Sequence, residues 1–129
     1  MLESGILNPQ ILSLLARVRY TNSLVIADRV FPFASGIEIV DISLVNGIPT
    51  VLQVLEAIRP NFRIARIYMA QEFLKANTPE VQADFSAASK GINLSYEPHV
   101  QFKQHIPRAV GVIRTGDSIS YSSMLLVSG

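Results

Sequence analysis

At 129 residues the chain is long enough to bury a core of its own without staples, and it is read as one domain spanning 1–129. A net charge of +1 gives no electrostatic footprint for nucleic acid or an anionic membrane, and the 49% apolar against 16% charged composition points instead to burial against copies of the same chain. The absence of Cys excludes disulfides, thiolate nucleophiles and Cys-based metal sites, and fits a reducing cytoplasm.

Met1 to Gly5 carries no basic n-region and no cleavage-site pattern. Asn8-Pro9 then predicts a helix start, Asn as the cap and Pro at the first helical position. Ile11, Leu12, Leu14, Leu15 and Val18 follow helical spacing. Tyr20-Thr21-Asn22 interrupts the pattern, and Leu24-Val25-Ile26-Ala27 is a continuous apolar run of the kind found in strands covered on both faces. That run and Met124 to Val127 are strand-length, far too short to span a bilayer. Asp28 ends the first strand, and 31–36 reads as a loop from its Pro and Gly.

Ile37 to Ile42 is the second predicted strand, and Asn46 to Thr50 is a turn whose Thr50 caps a helix with Val51, Leu52, Val54, Leu55 and Ile58 on its core face. Phe62 to Met69 reads as a strand, Ala70 to Lys75 as a short helical turn, and Thr78-Pro79-Glu80 as the start of a helix running to Lys90-Gly91. Ile92 to Glu97 is a strand and Pro98-His99 opens a short helix to about His105. Ala109 to Ile113 is apolar and buried, Thr115-Gly116-Asp117 turns with the Gly at positive φ, and Ser120 to Ser128 forms the last strand. Alternating strands and helices predict an α/β layered sandwich with a largely parallel sheet flanked by helices. The last two strands are too close in sequence for an intervening helix, so they are expected to pair antiparallel.

Few polar groups are placed for chemistry. Asp28 and Asp41 each follow a strand, where open α/β sheets hold their ligands, though an acid in a loop commonly caps or solvates. Arg29 is expected to pair with Asp28 and hold it ionised. His99 is either a helix-start residue or a site residue, and His105 beside Pro107 reads as a surface group. Tyr20, Lys103, Arg114, Asp117 and Tyr121 complete the candidates, with Tyr121 a half-buried aromatic of the last strand. Neither His sits at metal-ligand spacing, so no metal is expected, and the seven glycines form neither GxGxxG nor a P-loop.

Several ordered motifs resemble one family across essentially the whole chain. They are Gly5-Ile6-Leu7-Asn8; Ile26-Ala27-Asp28 with Pro32; Asp41-Ile42 with Gly47-Ile48-Pro49; His99 with Phe102-Lys103; and Ile113-Arg114-Thr115-Gly116-Asp117 followed by Tyr121. Together they resemble the RbsD/FucU family of D-ribose pyranases and L-fucose mutarotases. The resemblance implies a cytoplasmic, cofactor-independent isomerase of a free monosaccharide. It also implies a ring-shaped homo-oligomer, a decamer in the family, in which the end of one chain completes a neighbour's pocket. Asp28 and His99 match the family's pocket aspartate and histidine, Tyr121 its C-terminal tyrosine, and Lys103 joins them as a sugar contact. The family's catalytic His is Tyr20 here, its Asp is Asn22, its Asn after the tyrosine is Ser123, and Arg29 replaces a small residue. Two readings follow. One is an isomerase with a rearranged proton relay of Tyr20, Asp28 and His99, its turnover lowered because a phenol exchanges protons near neutral pH less readily than an imidazole. The other is a sugar-binding or assembly subunit that keeps the fold without turnover.

Overall fold

The computed structural model describes residues 1–32 and 35–129; Phe33 and Ala34, inside the predicted 31–36 loop, lie outside the described residues. Local capping sets most helix starts. Asn8 accepts the Ile11 N–H at 3.0 Å to open α1 (Pro9–Ala16). Thr50 and Gln53 close a reciprocal capping box at the head of α2 (Val51–Ile58), and Thr78 caps α4 (Pro79–Ala88). The shorter helices are α3 (Glu72–Ala76) and α5 (His99–His105).

Among the described residues six strands form one sheet in the order β2-β5-β1-β6-β3-β4. They are β1 (Ser23–Ala27), β2 (Glu38–Asp41), β3 (Ile64–Ala70), β4 (Asn93–Glu97), β5 (Gly111–Arg114) and β6 (Met124–Ser128). Five run in one direction and β6 runs against them, antiparallel to both β1 and β3. The sheet is therefore largely parallel, as the alternation of elements required, but the expected β5–β6 pair does not form. β5 pairs in parallel with β1 and β2, and β6 lies on the other side of β1. The cause is the segment 115–123, which crosses the end of β1 instead of turning back. Thr115 N–H donates to Ala27 O at 2.9 Å, and Arg29 N–H donates to Asp117 O at 3.0 Å.

β1 is the centre of this arrangement. Leu24 and Ile26 enter one core with residues of α1, α2, α3 and α4, while Val25 and Ala27 enter a second with Phe31, Phe102 and Ile106. Leu24, Val25, Ile26 and Ala27 are all wholly buried, which accounts for the unbroken apolar run in the sequence. On the second face the covering helix is α5, whose Phe102 and adjoining Ile106 pack on Val25, Ala27 and Leu125.

Two further expectations change. The last strand begins at Met124 and not at Ser120: Tyr121 has φ 56°, a left-handed backbone that breaks a ladder, so it stands in a turn before β6. Gly116 is not at positive φ. It is small because the 44–48 turn presses on it: a Cβ there would sit 2.4 Å from Val45 O and 2.5 Å from Ile48 O. Among the described residues no helix is long and apolar enough to cross a membrane.

Candidate functional site

The parallel strands end on one side of the sheet, and the reversed β6 begins there. Residues following β1, β3, β4 and β5 therefore meet residues preceding β6, at the carboxyl edge where α/β sheets hold ligands. Asp28 leaves β1 at this edge and is 4% exposed. Its Oδ1 accepts the Val30 N–H at 3.1 Å, and its Oδ2 accepts the Ser123 hydroxyl at 3.1 Å. The same Ser123 Oγ accepts the Asp28 N–H at 2.9 Å, so one buried hydroxyl holds both the backbone and the side chain of Asp28. Burial pushes the Asp28 carboxyl above its ordinary value; the bonds from Ser123, Val30 and Phe31 pull against this, and the Asp117 carboxylate adds to it.

Over Asp28 lies a pocket of about 300 Å3 lined by Asp28, Val30, Phe31, Pro32, His99, Ser120 and Tyr121. The His99 ring is set by three aromatic neighbours. It meets Tyr121 edge-on at 5.2 Å and Phe31 edge-on at 6.3 Å, and stacks on Phe102 at 6.2 Å. His99 is also the first residue of α5, whose cap residue Pro98 offers no side-chain acceptor. The acceptor comes from α3: both Glu72 carboxylate oxygens receive the His99 N–H, at 3.0 and 3.2 Å. Tyr121 is 40% exposed, and the turn behind it is fixed by Asn77 Nδ2 donating to Ser120 O at 2.9 Å.

One chain thus brings Asp28, His99 and Tyr121 together, with Ser123 directly behind Asp28 and outside the pocket lining. Tyr121 meets the His99 ring of its own chain edge-on. Tyr20 is the residue set apart. It precedes β1 while Asp28 follows it, and five strand residues at about 3.3 Å each separate the two ends. Tyr20 is 78% exposed and lines a different concavity. Lys103 is exposed on α5 and outside the pocket lining. Arg29 does not hold Asp28 ionised: no ion pair joins them among the described residues, and Asp28 is pushed up, not down. The Arg29 side chain lines the concavity across Val30, beside Ser43, Leu44, Val45 and Asn46.

The remaining candidates are structural. Asp41 is tied to Ser43, whose hydroxyl holds its carboxyl below the ordinary value. Buried Asp117 accepts the Val51 N–H that starts α2 and the Ile119 N–H, each at 2.8 Å. Arg114 donates to Phe31 O at 2.7 Å, bracing the pocket loop. His105 pairs with Glu97 at 2.6 Å and stacks on Tyr68 at 5.2 Å.

A model of the RbsD / FucU transport protein family matches residues 1–129. The chain is 37% identical over its full length to the D-ribose pyranase of Geobacillus kaustophilus (strain HTA426), covering 94% of that protein. Its fold is similar to Bacillus subtilis RbsD complexed with D-ribose, with a TM-score of 0.93, 28% identity, and coverage of 100% of this chain and 98% of that one. It is also similar in fold to the fucose mutarotase of Streptococcus pneumoniae in complex with L-fucose, at a TM-score of 0.80 and 18% identity, covering 95% and 92% of the two chains.

Proposed function

The chain belongs to the RbsD/FucU family, and from that premise we propose that it binds a free monosaccharide over Asp28 and interconverts its ring forms or anomers. The observation that carries this reading is the buried Asp28 carboxyl, raised by burial, opening into one small pocket with the imidazole of His99 and the phenol of Tyr121. Opening a hemiacetal ring breaks the bond from the anomeric carbon to the ring oxygen. The anomeric hydroxyl gives up a proton as the ring oxygen gains one, and closure by another hydroxyl, or on the other face, reverses the transfers. Two side chains able to take and give a proton suffice. A carboxyl with a raised pKa remains able to exchange protons closer to neutral pH than an exposed one, so Asp28 takes one transfer and His99 the other. Tyr121 packs against the sugar and supplies a hydroxyl.

Copies of the chain assemble so that Tyr20 of one approaches the Asp28 pocket of another. Tyr20 occupies the position of the family's catalytic histidine, so turnover is lower than with an imidazole there. The same substitution favours the second reading, a sugar-binding subunit without turnover. NMR saturation transfer between the anomers and ring forms of ribose and fucose separates the two. Exchange above the uncatalysed rate, lost in Asp28→Asn, is the expected result; sugar binding with no added exchange leaves the non-catalytic reading standing.

A further inference from the structure

Arg29 stands one residue beyond the Asp28 carboxyl, and its side chain takes no part in holding the fold. It is exposed, and among the described residues it forms no ion pair and no side-chain hydrogen bond. Its backbone is fixed, since the Arg29 N–H donates to Asp117 O at 3.0 Å. The guanidinium lines a concavity of about 300 Å3 with Val30, Ser43, Val45, Asn46 and Gly116 among the other walls. Val30 also lines the Asp28 pocket, so the two concavities adjoin across one side chain. Among the described residues Asp28 is the only side-chain carboxylate that lines either of them, and no second Lys or Arg does.

The walls are held before any ligand arrives. Leu44 N–H donates to Ile48 O at 3.0 Å and Gly47 N–H to Gly116 O at 2.6 Å, which ties the 44–48 turn to the segment after β5. A guanidinium with its donors unused keeps its full charge, and its planar fork matches a carboxylate through two parallel N–H···O bonds. One cation on the wall suits a group of one negative charge. In the pyranose ring of a hexuronate, the anomeric carbon and the carbon bearing the carboxylate flank the same ring oxygen. With the anomeric centre over Asp28 and His99, the carboxylate lies beyond the ring oxygen and can cross Val30 toward Arg29. We propose that Arg29 makes the pocket selective for an acidic monosaccharide, a reducing hexuronate whose carboxylate binds the Arg29 fork while its anomeric carbon lies over Asp28. The place of the sugar ring rests on the isomerase reading above; the preference for an acid rests on Arg29.

The test is an amide and Arg side-chain NMR titration of the intact protein with D-galacturonate and D-glucuronate, each beside its neutral counterpart, D-galactose or D-glucose. At least one hexuronate is expected to bind about three- to tenfold tighter than the neutral sugar of the same configuration, the range for a bidentate pair at an exposed site. It should shift the Arg29 side chain and the Asp28 amide together, and its advantage should shrink as salt is raised to about 0.5 M. In Arg29→Gln the acid-to-neutral affinity ratio should fall to about one, and in Arg29→Lys, which keeps the charge without the fork, to an intermediate value. Arg29 is exposed, so both variants fold. Equal affinities for acid and neutral sugar, or an advantage that persists in Arg29→Gln, overturn the proposal. So does a hexuronate that shifts Arg29 while the Asp28 amide stays still, which would make Arg29 a contact for anions in general. Ribose and fucose are titrated in parallel. If they shift Asp28 while no hexuronate is preferred, the acid subsite fails and the isomerase reading stands; if no sugar of any kind moves Asp28, both fail.

Discussion

Ser123 holds both the backbone and the carboxyl of Asp28, and its removal gives the sharpest test of the site. In Ser123→Ala two bonds disappear at once: the Asp28 N–H loses its acceptor at 2.9 Å, and Oδ2 loses the hydroxyl at 3.1 Å. Both residues are buried, at 4% and 3% exposure, so little solvent screening softens the loss. A buried N–H left unpaired costs about 1–3 kcal/mol, and a hydrogen bond to a charged group is worth about 1.5–3 kcal/mol. The two overlap, so the expected destabilisation is about 3 kcal/mol. For a chain of this size that lowers Tm by roughly 10 °C.

The charged share of that cost can be isolated. In Asp28→Asn the backbone bond to Ser123 persists while the charge-assisted one becomes neutral, so Ser123→Ala should then cost about 1–2 kcal/mol, a coupling of about 1 kcal/mol. The pH dependence has a fixed sign. Asp28 is raised above 3.8 in the folded state, so the folded chain binds more protons, and stability falls as pH rises from 3.8 through the folded value. Ser123 is one of the groups pulling that value down, so Ser123→Ala raises it further and steepens the fall. Asp28→Asn abolishes it and is expected to stabilise the protein near neutral pH. Urea unfolding of the four proteins at one protein concentration, at pH 4 and pH 7, measures all of this. A cost below about 0.5 kcal/mol, or strict additivity, would refute the argument, because water from the pocket would then be satisfying Asp28.

Glu72→Ala should weaken ribose binding several-fold by freeing the start of α5. Glu72→Gln, which retains one acceptor for the His99 N–H, should recover most of the affinity in a calorimetric titration. Gly116→Ala forces a methyl group against Val45 O and Ile48 O and should destabilise the chain by about 1–3 kcal/mol in thermal melts, although the site is untouched. Tyr20→His should increase saturation transfer between sugar ring forms; an unchanged rate would mean that this position takes no part in the relay.

What the sequence revealed follows the range of the forces involved. Asn8, Thr50 and Thr78 were legible as caps because each bonds a backbone N–H three residues on. The fully buried β1 was legible because covering both faces leaves no polar position to interrupt the run. The neighbour of β6 was not, because its choice is made by bonds between 115–117 and the end of β1, some 88 residues away. Glu72 was missed for the same reason, as its partner His99 lies 27 residues on. A signal did exist: a helix beginning after Pro98 has no local acceptor for its first N–H groups, so one must come from elsewhere in the fold. Ser123 was legible as a site position but not as the support of Asp28, and the direction of Arg29 had no local determinant.

The reversed β6 also decides how the two ends of the sheet relate. It delivers Tyr121 and Ser123 to the edge that holds Asp28, and Val127 to Gly129 to the opposite edge beside Tyr20, Arg63 and Arg66. No single chain can place Tyr20 over its own Asp28, since all of β1 lies between them. If both residues serve one sugar, each site draws Asp28 from one copy and Tyr20 from another. That arrangement makes a prediction that no monomeric site can meet. Asp28→Asn and Tyr20→Ala proteins, each defective alone, are unfolded, mixed in equal amounts and refolded together. Half the chains then carry Asp28 and the other half Tyr20, so random assembly restores about one quarter of the sites. Saturation transfer should recover toward that fraction in the mixture and stay at the single-variant level when the two are refolded separately and then combined. No recovery on co-refolding, in a preparation that light scattering shows to be assembled, would remove Tyr20 from the sugar site and leave Asp28, His99 and Tyr121 to act within one chain.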